Sequence, residues 1–352
     1  MIINTRKTFF PIGQGCFYSE KIIFDNTEKT IVYDCGSLNI DHLAKEITYS
    51  DITEIDFLII SHFHKDHING IEKLIKKCKT IKNVIIPKLD ALDIAFYLGT
   101  KNTIEEILID PETFFGNDTN IIRINNNEEQ TTLREDETLP LEISHSTSLP
   151  IFSKATNSPL LWYLKFYVDP FVYSNISLTN KQKKLIEETK NIDDYAKNKV
   201  ALKKVYEIIG KKDFNLTSLS MASFPNSDFI PFICPHEYIV SVMNGDILLD
   251  TDDKILRYTQ HYSELKNFII DFHIPHHGSH KNIFRVINEW NLKRAIISAG
   301  YNNQFGHPSG VVLRKFQDSI IPVIVLTEYD LQITKRQYYV GYIVDTPFLI
   351  GS

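Results

Sequence analysis

Three histidines and one aspartate lie within six residues of one another in the segment SHFHKDHING (61–70). Imidazole and carboxylate suit zinc, manganese or iron as ligands. Residues two apart in an extended segment face the same side, so His62 and His64 would point together. Asp66 and His67 would lie in the following turn, aimed at a second ion close by. The alternative, a polar surface loop that happens to be rich in histidine, fits poorly with so tight a cluster among only 12 histidines in 352 residues.

The segment directly follows DFLIIS (56–61), a short continuous apolar run typical of a strand buried on both faces. The spacing of apolar residues predicts a helix from about Asn69, and NVIIP (83–87) is the next predicted strand. Strand, loop, helix and strand in this order indicate an α/β layered fold. Functional sites of such folds lie in the loops at strand ends, which is where the histidines are.

The rest of the chain predicts a second α/β half and a helical insertion. Short β runs precede a helix at 40–50, and strands return at 268–275 and 294–300, on either side of a predicted helix at 285–290. From Leu178 the chain reads as helical, with Thr179 as the N-cap and Gly210 near the end. We therefore expect one domain over 1–352, with residues 165–212 as the insertion.

The composition of the chain argues against several classes of protein. The net charge of −6 argues weakly against a protein that coats nucleic acid, although a local basic patch could still bind it. The four cysteines, Cys16, Cys35, Cys78 and Cys234, form no C-x-x-C pair, which excludes a Cys-rich zinc finger and suits a reducing cytoplasm. No apolar run approaches the roughly 18 residues of a membrane span, and the first residues do not resemble a secretory signal. A cytoplasmic protein is expected.

The pattern H-x-H-x-D-H after an apolar strand resembles the signature of the metallo-β-lactamase superfamily. The resemblance implies a four-layer αβ/βα sandwich whose two halves both give ligands to a cleft at the edge between the sheets. It also implies that His62 and His64 bind a first metal ion and that Asp66 and His67 bind a second.

Two later segments resemble the remaining metal elements of that superfamily. MNGD (243–246) ends a predicted strand, and Asp246 resembles the aspartate that bridges the two ions. FHIPHHGS (272–279) resembles the segment of the last metal histidine. His276 is favoured because that ligand follows directly on the strand end, and His277 is the alternative. We expect His273 and His280 to be structural.

A narrower resemblance is to the ComEC group, named for a DNA-uptake channel protein that carries such a domain. The matching segments are FPIGQG (10–15), IVYDCG (31–36), IPHHGS (274–279) and ISAGYNNQFGHP (297–308). They occur in the group's order between residue 10 and about 312. The regions around 90–140 and 165–212 match nothing in the group.

One ligand of the superfamily has no obvious counterpart. Many members have a third histidine on the first metal, and His145 is the candidate by position, but its segment reads as a core strand. The ComEC group has an N-x-x-S segment instead, similar to Asn215 and Ser218 in FNLTSLSM (214–221). The first ion would then have two histidines plus shared ligands, and manganese becomes as plausible as zinc.

The resemblance implies hydrolysis of a phosphodiester by a hydroxide held between two divalent metal ions, with Asp66 orienting the hydroxide. His307 is expected near the pocket mouth, donating a proton to the leaving oxygen or binding phosphate, or else simply capping the turn before Pro308. The candidate substrate-binding residues are His277, Gly278, Ser279 and, as a weaker candidate, Asn303.

The first functional hypothesis is a phosphodiesterase or nuclease whose substrate is a nucleic acid or nucleotide. The alternatives are a hydrolase of a lactone, thioester or peptide, and an effector or sensor module that a protein partner activates. The intact ligand set argues against an inactive module. The helices of 165–212 would lie over or beside the cleft and select the substrate. Nothing in the sequence specifies an oligomeric state.

Overall fold

The computed structural model describes residues 2–24, 27–89, 93–94, 97–98, 103–131, 133, 139–152, 162–169, 178–189, 194, 197–198, 200–202, 204–205, 217–225, 240–281 and 290–340. Cys234, Asn215, Gly210 and residues 285–289 of the helix predicted at 285–290 lie outside these ranges.

The described strands are β1 Ile2–Phe9, β2 Gly15–Phe24, β3 Thr27–Ser37, β4 Glu54–Ile59, β5 Thr80–Pro87, β6 Asn120–Asn125, β7 Glu142–Ser144, β8 Ser148–Pro150, β9 Trp162–Tyr167, β10 Ser220–Pro225, β11 Val240–Met243, β12 Ile269–His273, β13 Arg294–Ser298, β14 Val323–Leu326 and β15 Ile333–Val340. The helices are α1 Ile40–Tyr49, α2 Lys65–Ile68, α3 Ile71–Lys77, α4 Glu105–Ile109, α5 Pro111–Phe115, α6 Asn180–Glu188, α7 Asp252–His261 and α8 Gly310–Asp318, with a 3₁₀ turn at Pro275–Gly278.

These strands form two mixed sheets. The first has the order β15-β1-β2-β3-β4-β5-β6-β7, and the second has the order β14-β13-β12-β11-β10-β9-β8. Pairing is parallel from β3 to β7 and from β11 to β14, and antiparallel in the rest of each sheet. Each half of the chain therefore contributes a run of parallel strands whose carboxyl ends can hold a site.

Strand β4 shows why its sequence is a continuous apolar run. Phe57 and Ile59 face a core that lies between the two sheets, together with residues of both, such as Met221. Leu58 faces the opposite way, into a core that includes Leu43 of α1. Because alternate side chains of a strand point to opposite faces, both sets must be apolar when both faces are covered.

A third hydrophobic core lies between two helices and the outer face of the second sheet. It contains Tyr258 of α7, Phe316 of α8 and Phe272 of β12. The layers therefore run helix, sheet, sheet, helix. The α/β fold class and the four-layer αβ/βα sandwich implied by the resemblance are confirmed.

The region expected to be an insertion contains two kinds of structure. Its first residues, 165–167, belong to β9, which pairs with β8 and β10 inside the second sheet. The predicted helix start is confirmed, because Thr179 caps α6 in a reciprocal pair with Gln182. Ile186 of α6 is buried in the core on the helix side of the first sheet. The extent of the insertion stays a prediction.

No helix in the described part of the chain combines the length and the apolar character needed to cross a membrane.

Candidate metal centre

The histidine segment lies at the carboxyl end of β4 and runs into the short helix α2. Two glycines allow the neighbouring strands to approach this helix closely. A Cβ atom on Gly36 would lie 2.5 Å from the carbonyl carbon of Asp66, and one on Gly15 would lie 2.6 Å from the Asp66 oxygen. Real Cβ atoms do not approach so closely, so β2 and β3 can press against α2 only where they carry glycine. This contact sets the position of Asp66 and His67.

Two groups of side chains in the described residues could each hold a metal ion. One is His62, His64 and Asp246, and the other is Asp66, His67 and His277. Within each group the candidate ligand atoms lie within 4.8 Å of one another. In the first group, His62 Nε2 and His64 Nδ1 are 3.1 Å apart. The structure thus brings together all four residues predicted from the histidine segment and Asp246 from the second half of the chain.

The carboxylate of Asp246 lies between the two groups. Its Oδ1 atom is 3.3 Å from His67 Nε2 and 3.6 Å from His277 Nε2. Its Oδ2 atom is 3.7 Å from His62 Nε2 and 3.9 Å from His276 Nε2. One oxygen therefore faces each group, which is the arrangement a bridging carboxylate needs.

The turn that carries Asp246 contacts the histidine segment directly. The Asp246 backbone N–H donates to Ser218 Oγ at 3.0 Å. Gly245 has a φ of +50°, and a Cβ there would lie 2.6 Å from both Ser218 Oγ and Ser61 Cβ. Only glycine fits this left-handed position at such close range. Ser218, predicted from the N-x-x-S segment, thus holds the turn of Asp246.

These residues fit a pair of divalent ions. Zinc binds imidazole nitrogen at about 2.0–2.1 Å, which places two tetrahedral ligand atoms about 3.3 Å apart. The distances from Asp246 to the histidines are close to this value. The Nε2 atoms of His67 and His277 are buried and make no hydrogen bond within the described part of the chain. Bound ions would satisfy them, since buried polar atoms in native proteins almost always have a partner.

Hydrogen bonds behind the ligands fix the direction of their rings. His67 Nδ1 lies 2.7 Å from Asp34 Oδ2, and His277 Nδ1 lies 2.9 Å from the Ser298 carbonyl oxygen. Nε2 of each ring therefore faces the centre, as metal-binding histidines require. Asp34 also accepts from the backbone N–H and the hydroxyl of Ser61, both at 2.7 Å.

Sequence analysis missed Asp34 as a functional residue. It appeared only as the aspartate of the IVYDCG turn, yet it is fully buried and bonded to a candidate ligand. The available signal was its position near the end of β3, the strand that pairs with β4 in parallel. Parallel neighbours end at the same edge of a sheet, so an aspartate there can reach the loop after β4.

Charges within the centre shift the pKa values in opposite directions. Burial alone would raise the pKa of Asp66, but His277 and His67 outweigh it and hold that pKa below its usual range. Burial lowers the pKa of His62, and the neighbouring His67 lowers it further. Burial would also lower the pKa of His67, but Asp246 and Asp34 raise it well above the usual value. Without a metal ion, the carboxylates of Asp66 and Asp246 are thus held ionised and the ring of His67 is held protonated. A divalent ion would take the place of that proton, because only a deprotonated imidazole nitrogen binds metal.

The preference for His276 as the last ligand is not supported by the geometry, which favours His277. Both residues have left-handed backbone conformations, with φ of +51° and +52°. Two such residues in succession turn the chain sharply after β12, so that the second ring points inward. The His277 side chain is 2% exposed, with its Nε2 atom 3.5 Å from Asp66 Oδ2, whereas the His276 side chain is 24% exposed, with its Nε2 atom 3.9 Å from Asp246 Oδ2.

The other predicted histidines lie in different surroundings. His145 belongs to neither group, because its ring stacks on Tyr167 at 5.6 Å and lies 5.1 Å from the ring of His261. His273 is buried within β12, and His280 is exposed in the turn that follows.

His307 lies at the mouth of the centre. Its ring is 5.6 Å from that of His276 and 6.3 Å from that of His277. Asn303 fixes this loop, since its side chain donates to the His307 carbonyl oxygen at 2.6 Å and accepts from the His307 N–H at 2.9 Å. Gly278 supports the same loop by accepting from the Ser309 N–H at 3.0 Å. Ser279 is buried, and its backbone N–H donates to the His276 carbonyl oxygen.

A family model described as anti-Pycsar protein Apyc1 matches residues 11–90, the part of the chain that holds the histidine segment. Among solved structures, the metallo-β-lactamase fold protein YhfI from Bacillus subtilis is 12% identical, with 94% of this chain and 100% of that chain covered and a TM-score of 0.38. Human tRNase Z, short form, is 10% identical, with 93% and 98% covered and a TM-score of 0.42. A diphosphatase from the PhnP family is 9% identical, with 95% and 97% covered and a TM-score of 0.37. No curated protein matches.

A single architecture accounts for the sheet order, the four layers and the position of the histidine segment after β4. The protein therefore has the metallo-β-lactamase fold, with candidate ligands from both halves of the chain meeting at one edge of the two sheets.

Proposed function

We propose that this protein is a metal-dependent hydrolase that cleaves phosphodiesters. The observation that carries the proposal is the position of Asp246, with one carboxylate oxygen toward each candidate metal group. His62, His64 and Asp246 would hold one ion, and Asp66, His67 and His277 would hold the other. Zinc or manganese in these places would lower the pKa of a water molecule and neutralise the charge that develops on phosphate oxygens.

The protein's own side chains prepare the site for an anionic substrate. Asp34 and Ser61 keep the rings of His67 and His62 in place, so the centre is rigid before substrate arrives. Rigid positioning of this kind lowers the cost of reaching the transition state.

His307 is suited to contact the phosphate. Burial lowers the pKa of His307 to about 4, and the neighbouring His277 and His276 contribute to the shift. Its imidazole is therefore neutral near pH 7 and can donate one N–H to a phosphate oxygen. This supports the phosphate-binding role over the role of proton donor to the leaving oxygen.

A nucleotide or nucleic acid is the substrate class that we propose, with cytoplasm as the setting. Cys16 and Cys35 are buried free thiols, which suits a reducing compartment. The single-domain organisation, a substrate-selecting role for the helices of 165–212, activation by a protein partner and the narrower likeness to the ComEC group stay predictions.

A metal-swap assay tests the proposal. Protein stripped of metal and reloaded with zinc or manganese is assayed on single-stranded DNA, duplex DNA, RNA and small phosphodiesters. We expect cleavage that depends on metal and falls at least about 10³-fold in Asp66→Ala, because that variant removes a carboxylate from the second group. Asp118→Ala, in an exposed turn, is the matched control and should keep full activity.

Failure on every phosphodiester, with two ions bound, would contradict the proposal. Lactone, thioester and peptide substrates would then be assayed with the same pair of variants.

A further inference from the structure

A cleft of about 700 Å³ lies beside the metal centre. Its lining residues come from the start of β2, the start of α1, the loop after β13 and the turn after β14: Gln14, Leu38, Asn39, Ile40, Asp41, Gly300, Asn302, Asn303, Gln304 and Glu328. The volume is in the range of small-molecule sites.

Two residues that line the cleft are linked to the metal centre, one through its neighbour in the chain and the other through hydrogen bonds. Gln14 directly precedes Gly15, which contacts the backbone oxygen of Asp66. On the other side, Asn303 holds the backbone of His307. A substrate with its phosphate at the metal centre could therefore extend a second group into the cleft.

The chemistry of the lining disfavours a phosphate as that second group. Asp41 and Glu328 contribute carboxylates, and neither lysine nor arginine is among the described residues that line the cleft. The remaining polar groups are primary amides, which donate and accept hydrogen bonds without charge. They suit an uncharged ligand that carries both donors and acceptors.

Some of these amides are already used by the fold. Asn39 caps α1 by accepting from the His42 N–H, and Asn303 bonds to the loop of His307. The remaining amides of the lining, which could form hydrogen bonds with a ligand, are those of Gln14, Asn302 and Gln304.

Gln14 gives the strongest sign of a ligand. It is only 5% exposed, and its Oε1 atom is buried without a hydrogen bond in the described part of the chain. An acceptor left unsatisfied in a buried place destabilises the folded state. A donor on a bound ligand, reached by a small rotation of the side chain, would remove that destabilisation.

Two exposed tyrosines adjoin lining residues of the cleft in the sequence. Tyr301 lies between Gly300 and Asn302, and Tyr329 follows Glu328. They are 70% and 75% exposed, with ring centroids 5.6 Å apart. Exposed aromatic rings of this kind can stack with planar bases.

We infer that this cleft is a nucleobase subsite, in which Gln14, Asn302 and Gln304 bond to the base edge while the metal centre holds the phosphate. The inference rests on the proposed function, because it assigns the group attached to the phosphodiester. Gln14 is assigned as a specificity-determining residue.

The test compares two substrates with the same leaving group. One is the set of p-nitrophenyl esters of the four ribonucleoside 5′-phosphates, and the other is methyl p-nitrophenyl phosphate, which has no base. In Gln14→Leu and in the double variant Asn302→Ala with Gln304→Ala, KM for the preferred nucleoside ester should rise about tenfold, the loss of roughly one hydrogen bond to a buried partner. KM and kcat for the methyl ester should stay within twofold of the wild-type values.

Gln260→Leu makes the same chemical change on the exposed face of α7 and should alter neither substrate. The double variant lies on an exposed loop, so it remains informative if Gln14→Leu does not fold. Equal effects on both substrates, or no effect on the nucleoside esters, would overturn the subsite.

A binding measurement separates this inference from the proposed function. Saturation-transfer NMR with the four free ribonucleosides should show contact between at least one base and the wild-type protein, and the double variant should lose it. If neither ester is hydrolysed but this contact is present, the phosphodiesterase proposal fails and the base site stands. If no base makes contact, the base site fails.

Discussion

Asp34 supports the second candidate metal group, although it lies in neither group. Its Oδ2 atom bonds to His67 Nδ1, and its two oxygens accept from the backbone and the hydroxyl of Ser61. Ser61 Oγ in turn lies 2.9 Å from His62 Nδ1. One buried carboxylate thus orients rings in both groups, so ligand geometry is set before any ion binds.

At the same scale, the two adjacent histidines of the 3₁₀ turn should differ in metal binding. We expect His277→Ala to bind one ion at least about tenfold more weakly, because a ligand is lost from the group with Asp66 and His67. His276→Ala should change the affinity less, since the His276 ring is 24% exposed and 3.9 Å from Asp246 Oδ2, whereas His277 Nε2 lies within 3.6 Å of two carboxylates. Mass-spectrometric metal content after dialysis against graded chelator measures both variants. A larger loss in His276→Ala would reverse the assignment.

At the scale of elements, the position of α2 is set by the ends of β2 and β3 rather than by its own stability. A helix of four residues has little stability of its own. It stays in place because Gly15 and Gly36 let two strands pack against its backbone.

Gly36→Ala should therefore displace α2. The added methyl group would overlap the backbone of Asp66 and His67, and overpacking of this kind typically costs about 1–3 kcal/mol. We expect a lower free energy of unfolding in urea and weaker metal binding in the same variant. Gly310→Ala is the matched control, because nothing lies within 4 Å of a Cβ atom there. Unchanged metal affinity in Gly36→Ala would show that α2 is not held in this way.

At the scale of the whole molecule, the site joins the two sheets. The histidine segment follows β4 of the first sheet, whereas Asp246 and His277 follow β11 and β12 of the second. Direct hydrogen bonds reinforce the junction, since Leu219 N–H donates to the Ser61 carbonyl oxygen at 2.7 Å and the Tyr33 hydroxyl donates to the Leu219 carbonyl oxygen. Ions bound here would link both halves of the fold.

Removing metal should therefore destabilise the entire protein and not only the site. A ligand that binds the native state alone at 100 times its Kd adds about 2.7 kcal/mol. For a chain of 352 residues we expect a fall in Tm of about 4 °C for each ion removed by chelation, measured by differential scanning calorimetry. Asp66→Ala should show a smaller fall. Equal Tm values with and without chelator in the wild-type protein would contradict a metal shared between the sheets.

Most of what could be predicted rests on patterns of residues that are close together in the sequence. The alternating burial of β4, the capping pair at Thr179 and the spacing of His62 to His67 all depend on residues close in sequence. The choice between His276 and His277 depends on two successive left-handed backbone conformations, which histidine adopts only rarely. The role of Asp34 depends on which strand pairs with β4. Both are set by tertiary contacts, which local spacing does not encode.

The pairing of β1 with β15 has a consequence for synthesis on the ribosome. Residues 2–9 form a complete antiparallel ladder with residues 333–340, so β1 is synthesised long before β15, the strand that pairs with one of its edges. Until residues 333–340 leave the exit tunnel, one side of β1 presents unpaired backbone groups, and such strand edges attract other chains. The nascent chain therefore carries the candidate metal-binding histidines well before β15 can complete this sheet.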